Sequence, residues 1–270
     1  MRTRWLPRAW MGLVYAFLYL PILSLVVFSF NESVLVTVWS GFSTKWYRAV
    51  LDDAELVAGF MLSLKIALLC GVLSTALGTC AGVALARHAR FRGRVLFGSL
   101  LNLPLVMPEV IIGLSIMLLV ISVQNWFGIG GRDMVAILIG HVQLGTAYAT
   151  VVVMSRLREL DKSLEEAAQD LGARPGQVFW LVTLPQIAPA LLAAFLLTFT
   201  LSFDDVVISA FLAGPGATTL PVVIFARAKF GLHPTVNAVA ALTILAVTLV
   251  VVCYGVVEAR RARRAKADVI

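Results

Sequence analysis

Charge is scarce in this chain of 270 residues: only 14% of them are Asp, Glu, Lys or Arg, against about a quarter in a soluble domain. Hydrophobic residues make up 60%, and the mean hydropathy is +0.93. A soluble globule is excluded. Cysteine and histidine are rare, with three of each. Cys70, Cys80 and Cys253 fall in apolar runs without metal-ligand spacing or any reason to pair, and read as small buried residues. His88, His141 and His233 are isolated, and each reads as a packed or interfacial histidine rather than a ligand. No G-x-x-x-x-G-K-[ST] phosphate loop occurs, so the chain does not bind ATP in that manner by itself. No nucleophile-and-base constellation stands out, and neither a metal nor a cofactor is expected.

What is present is a set of long apolar runs. About 20 residues at 1.5 Å each cross ~30 Å of hydrocarbon. Six runs qualify: Met11–Phe30, Gly59–Ala86, Val95–Val123, Met134–Met154, Ala190–Ala213 and Val236–Val257. The second and third are long enough to tilt or project. The first follows basic residues, as a signal peptide does, but its length and the lack of a small-x-small end predict an uncleaved span. Trp5 and Trp10 flank it as interface anchors. Gly78 and Gly82 form a GxxxG pair, which marks close helix packing. Pro104 and Pro108 interrupt the third run and predict a kink.

The net charge of +7 raises the question of nucleic acid, and its distribution answers it. With the N-terminus placed inside, sixteen Lys and Arg fall on the cytoplasmic side. They are Arg2, Arg4, Arg8, Arg87, Arg90, Arg92, Arg94, Arg156, Arg158, Lys162, Arg174, Arg260, Arg261, Arg263, Arg264 and Lys266. The outer segments hold five, Lys45, Arg48, Arg132, Arg227 and Lys229, and Lys65 lies near the outer end of the second run. The positive-inside rule therefore predicts both termini in the cytoplasm. Anionic headgroups explain the basic tail, and no nucleic-acid partner is expected.

Between the fourth and fifth runs lies a polar loop, residues 156–188. It contains Glu166-Ala167-Ala168-Gln169-Asp170-Leu171-Gly172 and then Val182-Thr183-Leu184-Pro185. Ser163 and Glu166 have capping-box spacing. The helix they open would carry Leu164, Ala167, Ala168 and Leu171 on one face. Gly172 suits a left-handed helix end, and Pro175 suits the first position of the next helix. The full spacing resembles the cytoplasmic loop signature of the permease subunits of binding-protein-dependent ABC importers, with Val182 where that family usually has Ile. The resemblance implies that Glu166, Ala167, Ala168, Gly172, Leu184 and Pro185 couple the chain to a separate ATPase.

Three carboxylates interrupt apolar runs: Glu109, Asp204 and Asp205. A central Asp costs roughly 2.5–3.5 kcal/mol on insertion, so such residues are functional candidates by default. Glu109 and Asp204 each lie fourteen residues from the inner start of their runs, a depth of about 21 Å along a helix. On a continuous fifth helix, Thr198, Ser202, Asp205 and Ser209 form one polar stripe, with Asp204 about 100° away. Helix–helix hydrogen bonding accounts for single hydroxyls. An adjacent Asp pair needs a cation nearby if both are to stay ionised.

Residues 199–205, the run Gly214-Pro215-Gly216-Ala217-Thr218-Thr219-Leu220-Pro221 and the outer segment Trp39 to Tyr47 resemble the polyamine branch of these permeases. On physics alone the outer aromatics read as a belt resting on headgroups, although an aromatic face also attracts ammonium groups by roughly 0.5–2 kcal/mol. The resemblance implies Trp46, Glu109, Ser202, Asp204 and Asp205 as substrate-pathway positions. It further implies an all-α, six-span permease of the type I, MetI-like fold in a bacterial inner membrane, forming a single domain over residues 1–270. The partners it implies are a homologous second permease, two ATPase copies, a periplasmic polyamine-binding protein and membrane lipid. A permease for another small solute is the nearest alternative; a proton-coupled carrier or an intramembrane enzyme leaves the loop motif unexplained.

Overall fold

The computed structural model describes residues 5–36, 38–88, 91–231 and 233–267. Arg2, Arg4, Arg90 and the side chains of Trp5, Cys253 and the tail cations Arg260, Arg261, Arg263, Arg264 and Lys266 lie outside what it describes. Among the described residues the elements are helices. These are α1 (Trp5–Phe28), α2 (Lys45–Asp52), α3 (Ala54–Arg87), α4 (Arg94–Val106), α5 (Glu109–Phe127), α6 (Met134–Glu159) and α7 (Ser163–Asp170). After α8 (Pro175–Val178), a π turn at Phe179–Thr183 leads into α9 (Leu184–Phe203), followed by α10 (Val207–Leu212), α11 (Leu220–Phe230) and α12 (Pro234–Ala267).

Among the described residues, five helical segments are long and apolar enough to cross a membrane: Pro7–Phe28, Ala54–Arg87, Glu109–Phe127, Met134–Glu159 and Pro175–Phe203. The sixth expected span lies on α12, whose described apolar part is Pro234–Leu249. Apolar side chains such as Phe17, Leu20 and Leu23 on α1 are exposed, as suits a helix whose surroundings are hydrocarbon.

Two compact units divide the chain. One comprises residues 1–57 and 224–270, in which α12 packs against α1 and α2. The other comprises residues 58–223, in which α6 packs against α4, α5, α9 and α10. Its core has one cluster around Ile66, Ile112, Ile137, Ile208 and Leu212. A second surrounds Ala149, Val153, Leu157 and Ile187. Gly78 meets this second cluster directly. A Cβ at Gly78 would lie 2.5 Å from Ala149 Cβ and 2.8 Å from the Thr150 nitrogen, so the GxxxG pair is a helix contact as expected. Cys70 is buried, but Cys80 is exposed, which corrects the expectation that the cysteines are all buried.

Two expected spans are not continuous helices, and both interruptions have local causes. The run Val95–Val123 is split into α4 and α5. Pro108 has no N–H to continue the ladder and forces the preceding residue out of the helical region. Met107 is accordingly extended, at φ −78° and ψ 141°, and Pro108 becomes the N-cap of α5. The run Ala190–Ala213 is split into α9 and α10 at residues 204–206. Here an aspartate side chain captures the backbone donors of the next turn, which is how Asp competes with a continuing helix.

Candidate functional site

Glu109, at the start of α5, and Ser202, Asp204 and Asp205, at the end of α9 and in the break after it, line one cavity of about 350 Å³. His141 of α6 and Thr198 of α9 complete its polar lining. Each interruption of the helices thus places an acid at the same cavity. A helix break inside a membrane is tolerated where the freed backbone is capped or lines a cavity, and both conditions hold here.

The two adjacent aspartates have different surroundings. Asp205 is largely buried, its side chain 9% exposed. Its Oδ1 accepts from the Ile208 N–H at 3.3 Å, and its Oδ2 accepts from the Ser209 N–H at 2.7 Å. His141 Nε2 lies 3.1 Å from the same Oδ2 and 3.2 Å from Ser209 Oγ. The other ring nitrogen, Nδ1, lies 2.7 Å from Ser202 Oγ. Asp204 ends α9, with its N–H donating to the Thr200 carbonyl, and its side chain is exposed. Glu109 is exposed as well. Among the described residues, neither Asp204 nor Glu109 has a side-chain hydrogen bond or ion pair.

Trp46 belongs to the first unit and does not line this cavity. It is buried, and its indole N–H donates to the Asn31 carbonyl at 2.8 Å. His233 packs edge-on against its ring. Lys45 Nζ sits 4.8 Å above the same ring, so the chain's own cation occupies an aromatic face. Asn31 organises the outer segment: its amide donates to the Leu35 and Val38 carbonyls and accepts from the Ser33 and Ser40 N–H groups. Nearby, Arg227 donates to both carboxyl oxygens of Asp53 at 2.6 and 3.0 Å and to Glu55 at 2.7 Å. Arg227 holds the Asp53 carboxyl below its ordinary value.

The cytoplasmic-loop motif folds as α7, α8, the π turn and the start of α9. Gly172 has φ +88°, the left-handed end anticipated for it. The Gly172 N–H donates to the Gln169 carbonyl and the Ala173 N–H to the Ala168 carbonyl, which closes the last turn of α7. Pro175 opens α8, and Leu184 and Pro185 open α9.

The expected capping box does not form. Lys162 is the N-cap, and the Asp161 carboxylate accepts the Ser163 N–H instead, a bond that lowers the Asp161 pKa. Glu166, freed from capping, is exposed. Glu165 turns inward, where its Oε1 accepts from Arg87 Nη2 at 2.7 Å and from Thr183 Oγ1 at 2.8 Å. The apolar face expected on α7 is uncovered: Leu164 is 52% and Leu171 90% exposed, with Trp180 at 65% and Leu181 at 74% beyond it.

Residues 78–264, well over half of the chain, match the family described as binding-protein-dependent transport system inner membrane component. The chain belongs to that family. It is therefore a membrane-embedded transport component of the inner membrane, not an enzyme. It is 49% identical over 237 residues to the putrescine transport system permease protein PotI of Escherichia coli K12, covering 87% of this chain and 84% of that one. It is 35% identical over 260 residues to the spermidine/putrescine transport system permease protein PotC of the same strain, covering 96% of each.

Among solved structures, it resembles a chain of a bacterial ABC transporter that imports the acidic polysaccharide alginate. The TM-score is 0.71 at 20% identity, over 94% of both chains. A chain of the MetNI methionine ABC transporter matches with TM-score 0.61 at 19% identity, over 74% of this chain and 92% of that one. At such identities the likeness concerns the fold, and that fold is the MetI-like permease fold expected.

Two residues of the candidate cavity and the loop were not singled out from sequence. His141 reads there as a packed histidine. Buried it is, but an ionisable residue within a span is a functional candidate in its own right, and its position in the run Met134–Met154 is the signal that applies. Glu165 has no comparable sequence signal, because both of its partners are distant along the chain.

Proposed function

We propose that this chain is the permease subunit of an ATP-driven importer of polyamines, putrescine or spermidine, and forms half of the translocation pathway. The observation that carries this reading is the cavity with two carboxylates, Glu109 and Asp204, that have no partner among the described residues, inside a membrane-spanning unit. An unpaired carboxylate in such a place is costly and is compensated when a cation arrives. Relatives named for putrescine and spermidine transport support a diamine or polyamine as that cation. Ser202 and Asp205 belong to the same wall. In this reading Trp46 shapes the outer segment where a substrate-loaded periplasmic binding protein docks.

The partners we assign are a homologous second permease, two ATPase copies and that binding protein. Glu166, Ala167, Ala168, Gly172, Leu184 and Pro185 form the coupling region. The exposed Leu164 and Leu171 supply the apolar contacts of α7 with the ATPase. ATP hydrolysis in the ATPase moves the spans through α7 and gives alternating access. Both termini lie in the cytoplasm, on the strength of the lysine and arginine distribution.

The direct test is uptake of radiolabelled putrescine and spermidine into proteoliposomes holding the assembled importer, binding protein and ATP. Competition by unlabelled amino acids and sugars forms the second arm. Polyamine uptake that depends on ATP and resists those competitors is the expected result. No uptake of either amine by an assembled, ATP-hydrolysing complex would refute the substrate.

A further inference from the structure

Asp204 and Asp205 both line the cavity, but among the described residues only Asp205 has its carboxylate taken up by protein donors. Asp205 has three donors within reach, the Ile208 and Ser209 amides and His141 Nε2. Those bonds use most of the roughly four acceptor positions a carboxylate has. His141 is equally committed, its side chain 2% exposed and its two nitrogens facing Ser202 on one side and Asp205 and Ser209 on the other. The network joins α6, the end of α9 and α10 across the break at residues 204–206. Asp204 follows the last turn of α9, its N–H donating to the Thr200 carbonyl, and the break after it frees Asp205 from the 100° offset that a continuous helix would impose.

We infer that His141 is a positioning residue: by binding Asp205 it holds the break and presents Asp204, with Glu109, as the pair of acids that meets the substrate. This rests on the cation-importer reading for the identity of the substrate, but not for the geometry. It also assigns the cavity two acids without partners among the described residues rather than three, which suits a ligand carrying two separate ammonium groups.

The first test needs no substrate. In the assembled complex, with the three native cysteines replaced by serine, Asp204→Cys and Asp205→Cys are treated with a membrane-permeant methanethiosulfonate ethylammonium reagent. Cys at 204 is expected to react at least tenfold faster than Cys at 205. In the Asp204→Cys protein, which keeps Asp205, adding His141→Ala should slow labelling of Cys at 204 at least threefold, and His141→Gln, which keeps an N–H donor toward Asp205, should restore most of it. Equal reactivity at the two positions, or labelling of Cys at 204 that is indifferent to His141→Ala, overturns the proposal.

The second test is putrescine and spermidine uptake per assembled complex. Asp204→Asn should lower it at least tenfold with normal assembly. The effects of His141→Ala and Asp205→Asn should overlap rather than multiply in the double variant. Full multiplication, or wild-type uptake by Asp204→Asn, counts against it. Wild-type complex that imports neither amine refutes the substrate reading alone, since the labelling result still decides the role of His141.

Discussion

Glu165 offers the sharpest test of how the cytoplasmic loop is held. Its carboxylate accepts from Arg87 at the end of α3 and from Thr183 at the end of the π turn, at 2.7 and 2.8 Å. The Arg87 and Glu165 side chains are only 13% and 17% exposed, so solvent screens this pair far less than a surface ion pair. The helix that bears Glu165 has no buried residue of its own, so the clamp is a large share of what fixes α7 to the spans. Glu165→Gln keeps an acceptor for one partner and removes the charge. Losing one charge-assisted hydrogen bond costs about 1.5–3 kcal/mol, roughly a 10- to 150-fold shift from the held to the released position.

The expected result is an importer that assembles and hydrolyses ATP, but moves at least tenfold fewer substrate molecules per ATP. Arg87→Gln should match it. The double variant should be little worse than either single, with a coupling of about 1 kcal/mol or more in a thermal-melt cycle. Wild-type transport per ATP in Glu165→Gln, or effects that add within about 0.5 kcal/mol, would refute the clamp.

Gly172→Val should leave insertion intact but weaken capture of the ATPase. A Cβ there meets no atom within 4 Å, so the whole cost, roughly 1–2 kcal/mol, comes from the left-handed backbone at φ +88°; Gly172→Asn should be milder, and equal capture by both variants would contradict this. A reporter active only in the cytoplasm should work when fused after Leu171 or Lys266 and fail after Tyr47 or Gly131; a signal at Tyr47 would overturn the orientation. Arg227 lowers the Asp53 pKa below its ordinary 3.8, so this pair contributes stability that is present above about that pH and lost as pH falls through the lower folded value. Asp53→Asn should therefore reduce the melting temperature equally at pH 6 and pH 8, and a penalty confined to one of them would disprove the assignment.

Much of this molecule is legible in its sequence. The apolar runs located the spans because hydrocarbon thickness imposes a length that composition must meet. Gly78, Gly172 and Pro175 announced their roles because each depends on a property of a single residue: no side chain, access to positive φ, or a preset φ without a donor. What went astray depended on choosing between local partners. Ser163 and Glu166 have the spacing of a capping box, but Asp161 reaches the Ser163 amide first and Glu166 is left outside. The stripe Thr198, Ser202, Asp205 and Ser209 assumed one helix. Its members do converge, but through a break made by Asp205 capping α10.

The sequence alone determined that the chain lies in a membrane as helices, that its loop turns at Gly172 and restarts at Pro175, and that acids interrupt the apolar runs. Those are matters of period, length and residue type, which local chemistry decides. Only the tertiary structure decided which acids are free. His141 is 64 residues from Asp205 and Arg87 is 78 from Glu165. A carboxylate's availability depends on whichever donor packing brings within about 3 Å of it, and no periodicity encodes that distance.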